Sequence, residues 1–183
     1  MGKILTKLST SLKEFIQEQQ MFFVATAPAN GKVNLSPKGM DTLRILGDNR
    51  VIWLNLTGSG NETAAHVLEN NRMTIMFCSF MGNPLILRLY GTAKFYQPGD
   101  VEWEGLAAEF PPYEGQRQIF EMEIESVQTS CGYAVPLYEY KEQRTRLEKW
   151  AADKGESGIH DYWEEKNKTS LDGLPTGIKI PKS

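Results

Sequence analysis

Residues 51–67 read VIWLNLTGSGNETAAHV, and the parsing of this stretch decides the fold. The run Val51 to Leu56 is apolar and β-branched, as a buried strand should be. Two glycines, a serine and an asparagine then break the run, and a helix is expected over 61–70. Ser59 and Glu62 have capping-box spacing, and Asn61 is a second candidate cap. A glycine-rich turn feeding a helix start leaves several backbone N–H groups free and pointing one way. Such a turn can hold an anion, most often a phosphate. It can equally be an ordinary strand–turn–helix junction, and these residues alone leave both readings open.

Working outward, the chain reads as strands joined mostly by short turns. MFFVATA (21–27) and VNLSPKG (33–39) flank Asn30-Gly31, a hairpin signal. Pro37 places the second of these at an edge, because proline cannot donate to a ladder. RMTIMFCSF (72–80) and LILRLYGTAKFY (85–96) are two further strands around the turn MGNP. In RQIFEMEIESVQTS (117–130), Phe120, Met122 and Ile124 alternate with Glu121, Glu123 and Glu125. That pattern is a strand packed on one face and wet on the other. Helices are expected from a capping box at Ser11–Glu14, with Leu12, Phe15 and Ile16 inward, over 98–110, and from Tyr140 onward. The last residues, SLDGLPTGIKIPKS, read as an extended arm. The fold expected is mainly β with added helices: a split β-barrel of about six to seven mostly antiparallel strands. Residues 1–140 would form the barrel domain with its N-terminal helix. Residues 141–183 would form a helical extension and arm, packed on the barrel or on a dimer partner. Trp150, Tyr162 and Trp163 fit either surface.

The 183 residues carry 20 Lys and Arg against 23 Asp and Glu, a net charge of −3. That balance argues against a nucleic-acid partner, which needs a basic patch. No segment is long and apolar enough to span a membrane, and no secretory signal is visible, so the cytoplasm is expected. The two cysteines, Cys78 and Cys131, fit no metal or redox spacing. The two histidines, His66 and His160, lie in different segments, and no standard catalytic motif is present. A chain with a phosphate-type turn and no proton-transfer machinery of its own suits a cofactor that brings the chemistry.

The blocks VNLSPKG, VIWLNLTGSGNETAAHV, NNRMTIMFCS, RLYGTA and SCGYAVP, in that order, resemble the pyridoxamine 5′-phosphate oxidase-like, FMN-binding split-barrel proteins. They are most similar to a bacterial subgroup with SPKG, TGSGxETxxH and SCGYxVP blocks. The resemblance implies a homodimer with one FMN in each of two interface clefts. It sets Ser36, Pro37 and Lys38 along the flavin ring, with Lys38 near its polar edge or the phosphate. It sets Asn55, Leu56 and Thr57 against ring and ribityl chain, and Ser59, Gly60, Asn61 and Thr63 on the phosphate. Arg88 would add positive charge, and Ser130 and Cys131 would approach from the partner. The activity implied is an FMN-dependent oxidoreductase of unknown small-molecule substrate, with NAD(P)H as electron donor. Relatives that bind FMN tightly carry an Arg-Lys pair at the helix start, where this chain has Glu62-Thr63, so Glu62 should turn away, for instance toward Ser59. The arm also lacks the Arg and His that grip pyridoxamine phosphate, so that substrate is not expected. Other readings of the same barrel are a flavin-binding module without turnover, a haem site with His66 as ligand, and a deazaflavin site.

Overall fold

The computed structural model describes residues 2–181. Eight strands form one sheet. They are β1 (Ile4–Leu5), β2 (Phe22–Thr26), β3 (Asn34–Lys38), β4 (Leu43–Ile45), β5 (Arg50–Leu56), β6 (Arg72–Cys78), β7 (Ile86–Tyr96) and β8 (Gln116–Ser130). Their order is β3-β2-β6-β7-β8-β5-β4, every pairing is antiparallel, and β1 adds to β8. The end strands β3 and β4 are not paired to each other. The sheet is therefore a curled half-barrel with a split between its two edges.

Inward side chains of β2, β5, β6, β7 and β8 meet in one core that includes Phe22, Val24, Trp53, Ile75, Leu89 and Met122. Trp53 stacks on its cross-strand partner Phe120 at 4.7 Å between centroids. Both faces of β5 are buried, because Ile52 and Leu54 pack outward on Trp103, Phe110 and Ile119. This explains why residues 51–54 form an unbroken apolar run rather than an alternating one.

Four helices decorate the sheet: α1 (Thr10–Glu18), α2 (Glu62–Asn70), α3 (Trp103–Ala107) and α4 (Arg146–Lys166). Several boundaries differ from the sequence expectation. The cap of α1 is Ser9, whose hydroxyl accepts from the Leu12 N–H, so the Ser11–Glu14 box is not used. The helix expected over 98–110 shrinks to five residues. Gly99 turns the chain at φ +90°, and the Asp100 carboxylate takes the Gln97 N–H, which holds 97–102 in turns. Residues 131–145 have no regular structure, so the tail helix begins after Tyr140, and Gly155 kinks it at φ +64°.

Candidate functional site

β5 delivers Gly58-Ser59-Gly60 to the N-terminus of α2. Among the described residues, none of the backbone N–H groups of residues 58–64 reaches a protein acceptor. The space a side chain would take at Gly58 is open. Asn61 is the N-cap by position but makes no capping bond. Its side chain is 2 % exposed, and both Oδ1 and Nδ2 lack a partner. A buried amide left so costs about 1–3 kcal/mol, unless something absent from the chain satisfies it.

The expected capping box is not formed. Both Glu62 carboxylate oxygens accept from the Leu171 N–H at 3.0 Å, so the acid beside Gly60 is bonded to the arm and not to the Ser59 end of the loop. The loop thus keeps its donors while its one nearby carboxylate is engaged elsewhere. Thr63 Oγ1 accepts from Asn34 Nδ2 at 3.2 Å, and Ser36 Oγ donates to Asn34 Oδ1 at 3.1 Å. These bonds tie edge strand β3 to the first turn of α2.

Along β3, Asn34, Ser36 and Lys38 are half-buried while Leu35 and Pro37 are exposed. The polar side of this edge lines the split. Opposite it, Asn55 Nδ2 donates to Gln118 Oε1 at 3.1 Å, from residues paired across β5 and β8. The Lys38 ammonium bridges the two sides, 4.8 Å from the Trp53 ring centroid. Burial, and then the charge of Arg117, pulls its pKa down to about 8. Lys38 and Pro37 also line a cleft of about 1210 Å³, bounded by Met40, Phe80, Met81 and Tyr138.

The register of β5 and β8 slips between Asn55 and Leu56, which pair with Gln118 and Gln116. Arg117 is the residue left over at this bulge. It is 3 % exposed, and its Nη1 donates to Asn167 Oδ1 at 2.6 Å. Asn167 in turn donates Nδ2 to the Gly58 carbonyl at 3.1 Å. Arg117 Nε and Gln118 Nε2 are buried without partners. Desolvation lowers the Arg117 pKa to about 9, which leaves it charged at neutral pH.

Of the site residues expected from sequence, Ser36, Lys38, Asn55, Asn61 and Thr63 lie along the split or at the α2 start, with Ser59 and Gly60 exposed on the loop between. Leu56 is half-buried at the end of β5 and packs with the outer core. Thr57 is already used by the protein. Its hydroxyl donates to Gly115 O and accepts from Trp163 Nε1, both at 2.8 Å, so its proton is committed within the protein. Pro37 faces outward, on the opposite side of β3 from Lys38. Arg88 Nη1 donates to Ser130 Oγ at 2.8 Å, and Arg88 pairs with Gln128, ten residues along β8 from Gln118. At about 3.4 Å per residue that is roughly 30 Å of strand. Arg88, Ser130 and exposed Cys131 therefore do not reach the loop of their own chain.

Sequence reasoning missed Arg117, Gln118 and Asn167. Gln118 had a readable signal, since it continues the inward series of Phe120 and Met122 and so sets an amide on an apolar face. Arg117 had none, because its place at the bulge and its bond to Asn167 depend on how the strands and the extension pair in space. Trp163 is 3 % exposed and bonded to Thr57, which sets that ring on its own barrel rather than on a free surface. Among the described residues no cluster of His, Cys, Asp or Glu could hold a metal ion, and no helix is long and apolar enough to cross a membrane.

A family model described as pyridoxamine 5′-phosphate oxidase matches residues 8–131, so the match ends before α4 and the arm. A curated protein of Aspergillus flavus, the pyridoxamine 5′-phosphate oxidase family protein ustO, is 35% identical over 188 residues, covering 92% of this chain and 75% of the relative. In solved structures the fold is similar to HupZ of Group A Streptococcus, with a TM-score of 0.54 and 22% identity over 67% of this chain and 98% of that one. It is also similar to a Lactobacillus delbrueckii protein, with a TM-score of 0.53 and 18% identity over 67% and 94%. From the family match over the barrel and the identity to the fungal relative, the chain belongs to the pyridoxamine 5′-phosphate oxidase family.

Proposed function

We propose that this chain binds FMN and uses it as an oxidoreductase on a small molecule other than pyridoxamine phosphate. The observation that carries the reading is the α2 start, where free N–H groups surround an Asn61 amide buried without partners. This donor set fits a phosphate. The donors are neutral, they are fixed by the fold, and they sit at the positive end of a nine-residue helix. Lys38, Asn55 and Gln118 would line the path of the ring along the split.

A bound flavin supplies electron transfer in one- or two-electron steps. The chain's part is to hold the phosphate end, to give the ring a polar edge and to keep the Trp53 side dry. Within the split the titratable groups named are Lys38 and Arg117, both cationic at neutral pH. They favour an anionic species beside them and offer no carboxylate base. The arm sequence has no Arg–His pair to grip pyridoxamine phosphate, which supports a different substrate.

The test is the absorption spectrum of the purified protein, followed by titration with FMN and assay of NAD(P)H consumption. A flavin spectrum, or visible-range changes that saturate with FMN, is expected. Colourless protein that does not respond to FMN overturns the reading. Binding without NAD(P)H oxidation by any common acceptor leaves a flavin-binding module. Haem is the weaker alternative. His66 is 1 % exposed, and its Nδ1 is bonded to Thr26 at 3.0 Å, so the ring has no open approach for a macrocycle.

A further inference from the structure

A buried guanidinium is normally matched by a carboxylate, because taking an unpaired charge out of water is costly. Arg117 breaks that rule. None of the ion pairs among the described residues includes it. Its one hydrogen-bond partner is a neutral amide, Asn167, itself fully buried. Its Nε is unpartnered, and its charge is felt at Lys38, whose pKa it helps to lower. Neither of these two cations has a carboxylate partner among the ion pairs of the described residues. The missing charge belongs near the loop, because the Asn167 amide that holds Arg117 also holds the Gly58 carbonyl.

Asn167 is fixed from its own side. Its N–H donates to Trp163 O, and its carbonyl accepts from Thr176 Oγ1 at 2.6 Å. The extension is therefore a built wall of the site and not a loose tail. It also lies beyond the segment that the family model matches. We infer that Arg117, held by Asn167 of the C-terminal extension, supplies the positive charge for the ligand's phosphoryl group beside the Gly58–Asn61 loop. It stands in for the cationic pair that the helix start lacks. The inference rests on the flavin reading above and adds which residues carry the charge. Arg117 acts as a positioning and charge-balancing residue. The extension then selects for phosphorylated over unphosphorylated ligand.

The experiment compares FMN with riboflavin, which differ only in the phosphoryl group, by quenching of flavin fluorescence. It uses the full chain as wild type, Arg117→Gln and Asn167→Asp. The aspartate is nearly isosteric with Asn167 and gives Arg117 a counter-charge from within the protein. Wild type is expected to prefer FMN. Both variants should lose FMN affinity by about tenfold or more, the effect of one charge-assisted bond, with riboflavin affinity unchanged. Asn167→Asp also loses the bond to the Gly58 carbonyl, so the melting temperature and riboflavin affinity of each variant are read beside FMN affinity to separate loss of the site from loss of the fold. An undiminished preference for FMN in Asn167→Asp overturns the inference and leaves the flavin reading standing. Wild type that binds neither flavin overturns both.

Discussion

Lys38 is the group whose ionisation the site should report. Its amine lies over the Trp53 ring, and desolvation, then the Arg117 charge, brings its pKa to about 8. The sign of the consequence depends on what is bound. In the free folded chain the amine loses its proton near 8, whereas in the unfolded chain it keeps it to its ordinary value of 10.5. Between those values the unfolded state holds more protons, so stability of the ligand-free protein should rise with pH. Anion binding should show the reverse. Below about 8 the ammonium is present and favours a phosphate or an anionic flavin edge. Above it the charge is lost, and affinity should fall by up to about tenfold per pH unit until the pKa of the bound state is passed. FMN titrations between about pH 7 and 9.5, where the phosphate is already a dianion, read this directly. Wild type should bend near 8, and Lys38→Met should lose that bend and keep only the one near 9 that Arg117 contributes. A bend near 8 that survives in Lys38→Met assigns it to another group.

The long strands β7 and β8 carry the sheet, and their pairing depends on one position. The ladder slips between Tyr90 and Gly91, and a Cβ built on Gly91 would stand 1.9 Å from the Glu123 carbonyl oxygen. That neighbour is backbone, and it cannot swing aside. Gly91→Ala should therefore destabilise by at least about 3 kcal/mol, or give insoluble protein, as measured by urea unfolding. An alanine variant within about 0.5 kcal/mol of wild type would mean that the two strands separate more easily than their hydrogen bonds imply. The same strands show what a sequence can disclose. The alternation of Phe120, Met122 and Ile124 with glutamates gave β8 directly, because a half-buried strand must alternate. Asn30-Gly31 marked the turn between β2 and β3, and Pro37 marked an edge. β4, with three residues, is too short for any period to register. The glycine turn before α2 was legible as a set of free donors. The Arg117 charge was not, since its place at the bulge depends on how strands more than sixty positions apart pair in space. Asn167 was hidden as well, because its role depends on how the extension folds back onto Gly58.

Two features of the whole chain argue for a second copy. The sheet is open between β3 and β4, and the outer side of edge strand β3 presents Leu35, 60 % exposed. Beyond β8, residues 131–145 run without regular structure and expose Tyr133, Leu137 and Tyr138, the first two by 83 % and 75 %. A segment of this length without secondary structure inside a folded chain is uncommon and tends to be functional. Large apolar side chains clustered on it suit an interface better than solvent. The segment begins at Cys131, directly after Ser130, and both lie too far along β8 to serve the loop of their own chain. A homodimer in which this segment crosses to the partner would cover the apolar side chains and could bring Ser130 and Cys131 toward the other cleft. Light scattering on the eluting peak should then give about 41 kDa at micromolar concentration, twice the chain mass of 20.7 kDa. The double change Tyr133→Asp with Leu137→Asp should give a monomer of unchanged circular dichroism, since neither side chain belongs to the core. If the cleft is completed across the interface, the same variant should also hold FMN more weakly. Wild type that runs as a 20.7 kDa monomer at tens of micromolar would place the site within one chain and leave Ser130 and Cys131 without a part in it.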